Sequence, residues 1–168
     1  MSNETILIVE DEAITGISLK KSLTELGYSV IGIVQTGEQA VEIAVEKKPD
    51  LVLMDIQLAG KMDGITAAEN IRIKTRIPVI YITAFSDDKS VEKAKVTEPY
   101  GYILKPIREH MLKTTIEIAL YKTAIEHKHN ERDEPIRRLL NEVTDEFMLI
   151  DSEKKIIAIN ESIEKTRT

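Results

Sequence analysis

Five short apolar runs recur along the first part of the chain, separated by segments whose apolar residues recur at helical spacing. Apolar runs of this length are typical of strands that are buried on both faces of a parallel sheet. Alternation of strand and helix over about 120 residues predicts an α/β fold, in which a parallel sheet carries helices on both faces. The predicted strands are 6–9, 30–34, 51–55, 79–83 and 101–105.

Glycine and capping residues help to place the helices between these strands. The first helix carries Leu19, Leu23 and Leu26 on one stripe, and Gly27 fits its C-cap. Residues 86–88 offer N-caps for a fourth helix. The predicted helices after the first are 37–48, 64–75, 86–97 and a long one that continues from Ile107 to about residue 132.

Four of the five predicted strands end on, or are directly followed by, an acid, a lysine or a threonine that could take part in a site. Right-handed crossovers bring the carboxyl ends of parallel strands to one edge of the sheet, where α/β folds place their sites. Three acids would meet there, namely Glu10, Asp11 and Asp55. Two such charges about 4 Å apart repel by roughly 4 kcal/mol at an effective dielectric of 20. A hard divalent cation relieves this repulsion, and Mg²⁺ prefers oxygen ligands of this kind.

Thr83 and Lys105 complete the predicted site. A lysine supplies positive charge for phosphate oxygens, and a threonine adds a small hydroxyl donor. A nucleophilic carboxylate, a metal, a cation and a hydroxyl together indicate phosphoryl transfer onto Asp55, which gives an aspartyl phosphate. Each residue alone also has a plain interpretation: Asp55 as a turn acid, the acids after the first strand as a solvated helix start, Thr83 as a β-branched strand residue and Lys105 as a surface charge.

The motifs ILIVEDE, LVLMDIQL, MDGI, PVIYITA and GYILKP occur in this order, and through them the chain resembles the receiver domain of two-component response regulators over residues 5–120. The resemblance implies a flavodoxin-like fold, a doubly wound five-stranded parallel sheet of order 2-1-3-4-5. It also implies that Asp55 accepts phosphate from a sensor histidine kinase or a small phosphodonor. Such a domain is not an enzyme beyond its own phosphoryl transfer and dephosphorylation.

The resemblance also implies a cofactor and its ligands. Mg²⁺ would be held directly by Asp11, mainly through water by Glu10, by Asp55, and by the backbone carbonyl of Gln57.

Two further roles concern the phosphorylated state. By resemblance, Thr83 and Lys105 bind the phosphoryl group, and Tyr102 is the aromatic residue that moves inward when Thr83 shifts toward phosphate. The Lys105–Pro106 step matches a peptide that is typically cis in the family.

Two other functions fit parts of the sequence. One is an interaction or dimerisation module of the same fold that is never phosphorylated. The other is a Mg²⁺-dependent phosphohydrolase of the haloacid-dehalogenase type, which also uses an aspartate at a strand end. That class needs a second acid two residues later, and here the position is Gln57.

The long helix from Ile107 has apolar residues on two faces. Leu112, Ile116 and Ala119 should face the sheet, and a second stripe lies roughly opposite. Because a helix that is apolar on two faces needs a second partner, we expect a homodimer through this helix. The second stripe consists of Met111, Ile118, Tyr121 and Ile125.

The C-terminal part is predicted to be a linker followed by a hairpin. Pro135 is expected to end the long helix, and 136–143 to form another short one. The runs 147–151 and 156–160 indicate a hairpin that resembles the opening of a PAS sensory domain. The predicted organisation is a receiver domain at 1–122, a helical linker at 123–144 and a partial PAS-like segment at 145–168, as in a fragment of a longer protein.

Charge and composition limit the kinds of binding partner and of metal site that the chain can have. The formal net charge of −6 and pI of about 5.2 argue against nucleic acid or an anionic membrane as the main partner. The chain has no cysteine, which excludes disulfides and thiolate metal sites. No signal-peptide pattern or membrane-spanning apolar run occurs in the sequence, so we expect a cytoplasmic protein.

Overall fold

A computed structural model of the chain describes residues 4–84, 99–141, 148–150 and 156–159. Its larger sheet has five parallel strands in the order β2-β1-β3-β4-β5. This confirms the predicted flavodoxin-like α/β fold and its strand order. The strands are β1 (Thr5–Val9), β2 (Ser29–Val34), β3 (Leu51–Asp55), β4 (Val79–Thr83) and β5 (Gly101–Leu104).

Four helices are seen in the described residues: α1 (Ala13–Glu25), α2 (Gly37–Lys47), α3 (Gly64–Thr75) and α4 (Glu109–Asn141). Side-chain caps fix two of their starts, because Thr36 accepts a hydrogen bond from the Gln39 amide at 3.3 Å and Asp63 accepts one from the Thr66 amide at 2.7 Å. The helix predicted at 86–97 lies outside the described residues.

Each face of the sheet packs against its own helices. Val52 and Met54 of β3 face one apolar core, whereas Leu51 and Leu53 face the other, as the alternation of side chains along a strand requires. All five residues of β3 are buried. The first core takes Ala40, Ala44, Ala68 and Ile71 from α2 and α3; the second takes Leu19, Leu23, Leu112, Ile116 and Ala119 from α1 and α4.

The prediction that Pro135 ends the last helix was wrong. The helix begins at Glu109 and continues through that position to Asn141. A proline inside a helix removes one N–H···O bond and crowds one carbonyl, but the bonds of the flanking turns remain available. The helix therefore does not have to stop at the proline.

The chain divides into two compact units, residues 1–123 and 124–168. The second unit contains an antiparallel pair formed by β6 (Met148–Ile150) and β7 (Ile156–Ile159), which agrees with the predicted hairpin where that hairpin falls within the described residues. None of the described helices has the length and apolar content that a bilayer crossing requires.

Candidate functional site

The carboxyl ends of the strands bring the predicted residues to one edge of the sheet. Asp55 is the last residue of β3, and Glu10 directly follows β1, whose Val9 pairs with Met54. Lys105 directly follows β5, and its amide donates to the Thr83 carbonyl at 2.9 Å. The parallel register, rather than proximity in sequence, therefore makes these residues neighbours.

Three carboxylates form a cluster at this edge. Oxygen atoms of Glu10, Asp11 and Asp55 all lie within 4.8 Å of one another. Glu10 is 1% exposed and Asp55 5% exposed, whereas Asp11 is half-buried at the mouth of the site. Buried like charges at this spacing destabilise the fold unless a cation compensates them.

Lys105 supplies that cation in the structure. Its Nζ donates to Asp55 Oδ2 at 2.6 Å and to Glu10 Oε2 at 2.9 Å. The amine thus joins residues that are 50 and 95 positions away along the chain. One ammonium bridging two buried carboxylates fixes the side chains of all three residues.

The electrostatics of the cluster appear in two pKa shifts. Burial is the main reason why the pKa of Glu10 is raised, and the charge of Asp55 raises it further, against the opposing effect of Lys105. Burial acts against the Lys105 ammonium as well, but the hydrogen bonds and charges of Asp55 and Glu10 outweigh it, so the pKa of Lys105 is raised. The lysine is therefore held as a cation at neutral pH.

The loop after β3 positions the two aspartates through its backbone. The Gln57 amide donates to Asp55 Oδ1 at 2.9 Å, and the Ala59 amide donates to Asp11 Oδ2 at 3.1 Å. The loop then returns to the strand end, where the Gly64 amide donates to the Ile56 carbonyl at 3.1 Å. Sequence reasoning did not find the Ala59 contact, because a backbone donor leaves no mark on residue type.

Gly64 approaches the end of β3 so closely that only glycine fits. A Cβ at this position would lie 1.9 Å from the Asp55 carbonyl oxygen, inside any allowed contact. The sequence did show an Asp-Gly step at the start of α3, but only the fold reveals what the glycine must accommodate. Its missing side chain allows α3 to begin directly against the residue that carries the site.

A cavity of about 420 Å³ opens over Asp55. Carboxylate oxygens dominate its donor set, and hard oxygen donors with room for water are what Mg²⁺ requires. The residues present therefore fit that ion. The cavity is lined by Glu10, Asp11, Glu12, Asp55, Gln57, Leu58, Ala59, Ala84 and Lys105.

Thr83 and Tyr102 are placed differently from Lys105. The Thr83 hydroxyl donates to the Ala84 carbonyl at 3.1 Å, and it makes no hydrogen bond to Asp55. The Tyr102 ring packs with its centroid 5.8 Å from that of Tyr81, and its buried hydroxyl has no hydrogen-bond partner among the described residues. Burial raises the pKa of Tyr102. The structure also gives Lys105–Pro106 as a cis peptide.

Comparison with known proteins gives a consistent result. The family described as the response regulator receiver domain matches residues 6–117. The transcriptional regulatory protein PdtaR of Mycobacterium tuberculosis is 40% identical over 115 residues, which cover 68% of this chain and 56% of PdtaR. The chain thus spans about half the length of that relative.

Two solved structures share the fold. The N-terminal domain of a response regulator/sensory box/GGDEF 3-domain protein from Carboxydothermus hydrogenoformans is 38% identical with a TM-score of 0.66, covering 73% of this chain and 98% of that one. The receiver domain of the sensor histidine kinase PA1611 from Pseudomonas aeruginosa, solved with a magnesium ion in its active-site cleft, is 30% identical with a TM-score of 0.65, covering 71% and 98%.

Proposed function

Because the chain belongs to the response regulator receiver domain family, we propose that it is a phosphorylation-controlled switch of a two-component system, with Asp55 as its phosphoacceptor. A sensor histidine kinase is the proposed donor. The observation that carries the proposal is the position of the Asp55 carboxylate, which lies 2.6 Å from the Lys105 ammonium on the floor of an open cavity.

The proposed reaction transfers one phosphoryl group. An Asp55 carboxylate oxygen attacks phosphorus, the new O–P bond forms as the P–N bond of a phosphohistidine breaks, and the histidine leaves as an imidazole that takes up a proton. Lys105 is held where it can neutralise charge on the phosphoryl oxygens. The Gln57 amide keeps the carboxylate oriented toward the cavity.

Mg²⁺ is the proposed cofactor. Glu10, Asp11, Asp55 and the backbone carbonyl of Gln57 would hold it, and when bound it supplies positive charge to the transferring phosphoryl group. The oxygen-rich donor set and the solved receiver with magnesium in its cleft support this assignment.

Thr83 and Tyr102 are the proposed switch residues. We expect the Thr83 hydroxyl to leave the Ala84 carbonyl and to donate to a phosphoryl oxygen of phosphorylated Asp55, since both residues sit at ends of neighbouring strands. Tyr102 would then follow Thr83. Its hydroxyl makes no hydrogen bond to a described residue, so such a bond would not have to break first.

The wider organisation is also a proposal. Residues 1–122 would form the receiver, 123–144 a helical linker and 145–168 the start of a PAS-like domain, in a cytoplasmic protein that forms homodimers through the helix after β5 and binds neither nucleic acid nor membrane. Similarity to the first domain of a protein that also carries a sensory box supports this arrangement.

The phosphohydrolase alternative is less well supported. Position 57 offers only its amide to Asp55 and carries no acid for leaving-group chemistry. A pure interaction module remains the competitor that an experiment must separate, because it needs the same fold and no chemistry.

Incubation with acetyl phosphate and Mg²⁺ separates these functions. We expect a hydroxylamine-labile gain of one phosphoryl mass that is absent from Asp55→Asn. Asp63→Asn is a matched control, since asparagine also caps a helix and Asp63 lies outside the carboxylate cluster. Labelling of Asp55→Asn, or an unlabelled chain under conditions where another receiver domain is labelled, would refute the phosphoacceptor assignment.

A further inference from the structure

Helix α4 carries a stripe of large apolar side chains that are exposed to solvent over much of their surface. Its residues are large and well exposed: Met111 49%, Ile118 58%, Tyr121 70% and Ile125 40%. At about 100° per residue the stripe lies roughly 140° around the helix from Leu112, Ile116 and Ala119, which are fully buried against the sheet. The stripe is therefore separate from the face that holds the domain together.

The spacing of the stripe is that of a coiled coil. Met111, Ile118 and Ile125 follow one another at intervals of seven residues, and Tyr121 lies three residues after Ile118. These are the a and d positions of a heptad repeat. A helix that packs on a globular surface can show the same intervals, so the charges beside the stripe are needed to distinguish the two kinds of partner.

Charges flank the stripe on both sides with opposite sign. Glu117 precedes Ile118 at the g position, and Lys122 follows Tyr121 at the e position. In a parallel, in-register pair of helices, g of one helix faces the e position five residues later in the other, so Glu117 meets Lys122 twice across the two-fold axis. An antiparallel pair would instead bring g toward g and e toward e, which sets like charges together.

Both flanking residues are available for such pairs. Glu117 pairs within its own helix with Lys113 at 3.9 Å, and both side chains are more than half exposed. The Lys122 ammonium lies 5.1 Å from the centroid of the Tyr100 ring. Exposed interactions of these kinds contribute little, so exchanging them for contacts across an interface costs little.

We propose that a second copy of this chain covers the stripe through a parallel, in-register coiled coil, flanked by Glu117–Lys122 pairs between the two protomers. The pattern favours a second copy over an unrelated partner because it is self-complementary: one flank is acidic, the other basic, and a two-fold axis matches them. This inference specifies the homodimer of the proposed function, and it does not require phosphorylation of Asp55.

Single cysteine substitutions test whether the two helices are parallel and in register, because the chain has no cysteine of its own that could form a competing disulfide. In a glutathione redox buffer, unphosphorylated Met111→Cys and Ile118→Cys should each form disulfide-linked dimers, since equivalent a positions face each other within disulfide reach. Lys113→Cys is the matched control on the same helix, exposed but off the stripe, and should stay monomeric. In a mixture of tagged Ile118→Cys with Met111→Cys, like positions should link, and mixed dimers should be scarce.

Reversing the charges of the two flanking residues tests the pairs between protomers, with the dimer dissociation constant measured by sedimentation equilibrium. Glu117→Lys and Lys122→Glu should each raise the dimer dissociation constant about tenfold at low salt, and the double exchange should restore it. Monomers at all concentrations, abundant mixed disulfides, cross-linking of Lys113→Cys, or no rescue by the double exchange would overturn the proposal. Labelling of Ile118→Lys with acetyl phosphate tests the proposed function independently of the dimer. If this variant is monomeric and still becomes labelled, the phosphoacceptor assignment stands whatever the outcome for the coiled coil.

Discussion

Lys105 Nζ lies 2.6 Å from Asp55 Oδ2 and lies also 2.9 Å from a carboxylate oxygen of Glu10. The same ammonium therefore compensates two buried acids that the sheet brings together. Removing the positive charge at this position should therefore lower the stability of the fold as well as impair phosphorylation.

Lys105→Ala should lower the free energy of unfolding by about 2 kcal/mol in metal-free buffer, because it leaves two buried carboxylates without their cation. Mg²⁺ should recover part of the loss by supplying positive charge to the same oxygens. The measurement is urea unfolding with EDTA and with Mg²⁺. Lys113→Ala removes an exposed ion pair and should cost less than 0.5 kcal/mol, about the value of such pairs on a helix. Equal losses in the two variants would contradict the compensating role of Lys105.

Gly64→Ala should destabilise the protein by roughly 3 kcal/mol or more, because the new Cβ would overlap the Asp55 carbonyl oxygen at 1.9 Å. Gly32→Ala is the control, since its Cβ would meet Leu7 at an ordinary 3.6 Å. Thermal unfolding of both variants makes the comparison. A Gly64→Ala protein as stable as Gly32→Ala would mean that the start of α3 is not held against β3.

Tyr102→Phe should stabilise the protein by about 1 kcal/mol at neutral pH, because it removes a buried hydroxyl that has no partner among the described residues. The sign of the pH effect follows from the raised pKa of Tyr102. The folded protein holds the Tyr102 proton to a higher pH than the unfolded chain does. The free energy of unfolding is therefore unaffected by this group below pH 10, and it falls as pH rises from there through the raised pKa, because the unfolded tyrosine ionises first. Stability curves above pH 10 should therefore fall less steeply for the phenylalanine variant, and parallel curves would contradict the burial of the hydroxyl.

Arg76→Gly should raise stability by about 0.5 kcal/mol. Arg76 ends α3 at φ 60°, a left-handed conformation that costs a residue with a Cβ roughly 1 kcal/mol, and part of the gain is offset by the freer unfolded chain. Arg76→Ala keeps the Cβ and serves as the control, with no gain expected. Chemical denaturation of both variants measures the difference, and a gain in the alanine variant would assign the effect to the arginine side chain instead.

Local sequence patterns specified most of the architecture. The bounds of α3 and β4 follow from apolar periodicity and from the glycine and proline beside them, which act within a few residues. The convergence of Glu10, Asp11 and Asp55 also follows from sequence, because alternating strands and helices predict parallel strands, whose carboxyl ends lie at the same edge of the sheet.

Only the tertiary structure decided which hydrogen-bond partner each polar atom has. The family resemblance predicts that Lys105 and Thr83 bind the phosphoryl group, but it does not give their partners in the unphosphorylated chain. There the lysine bridges Asp55 and Glu10, and the threonine hydroxyl donates to the Ala84 carbonyl. The Ala59 amide on Asp11 likewise has no sequence signature. The physical reason is range: periodicity is a local property, whereas a hydrogen bond depends on sub-ångström placement of groups that lie tens of residues apart.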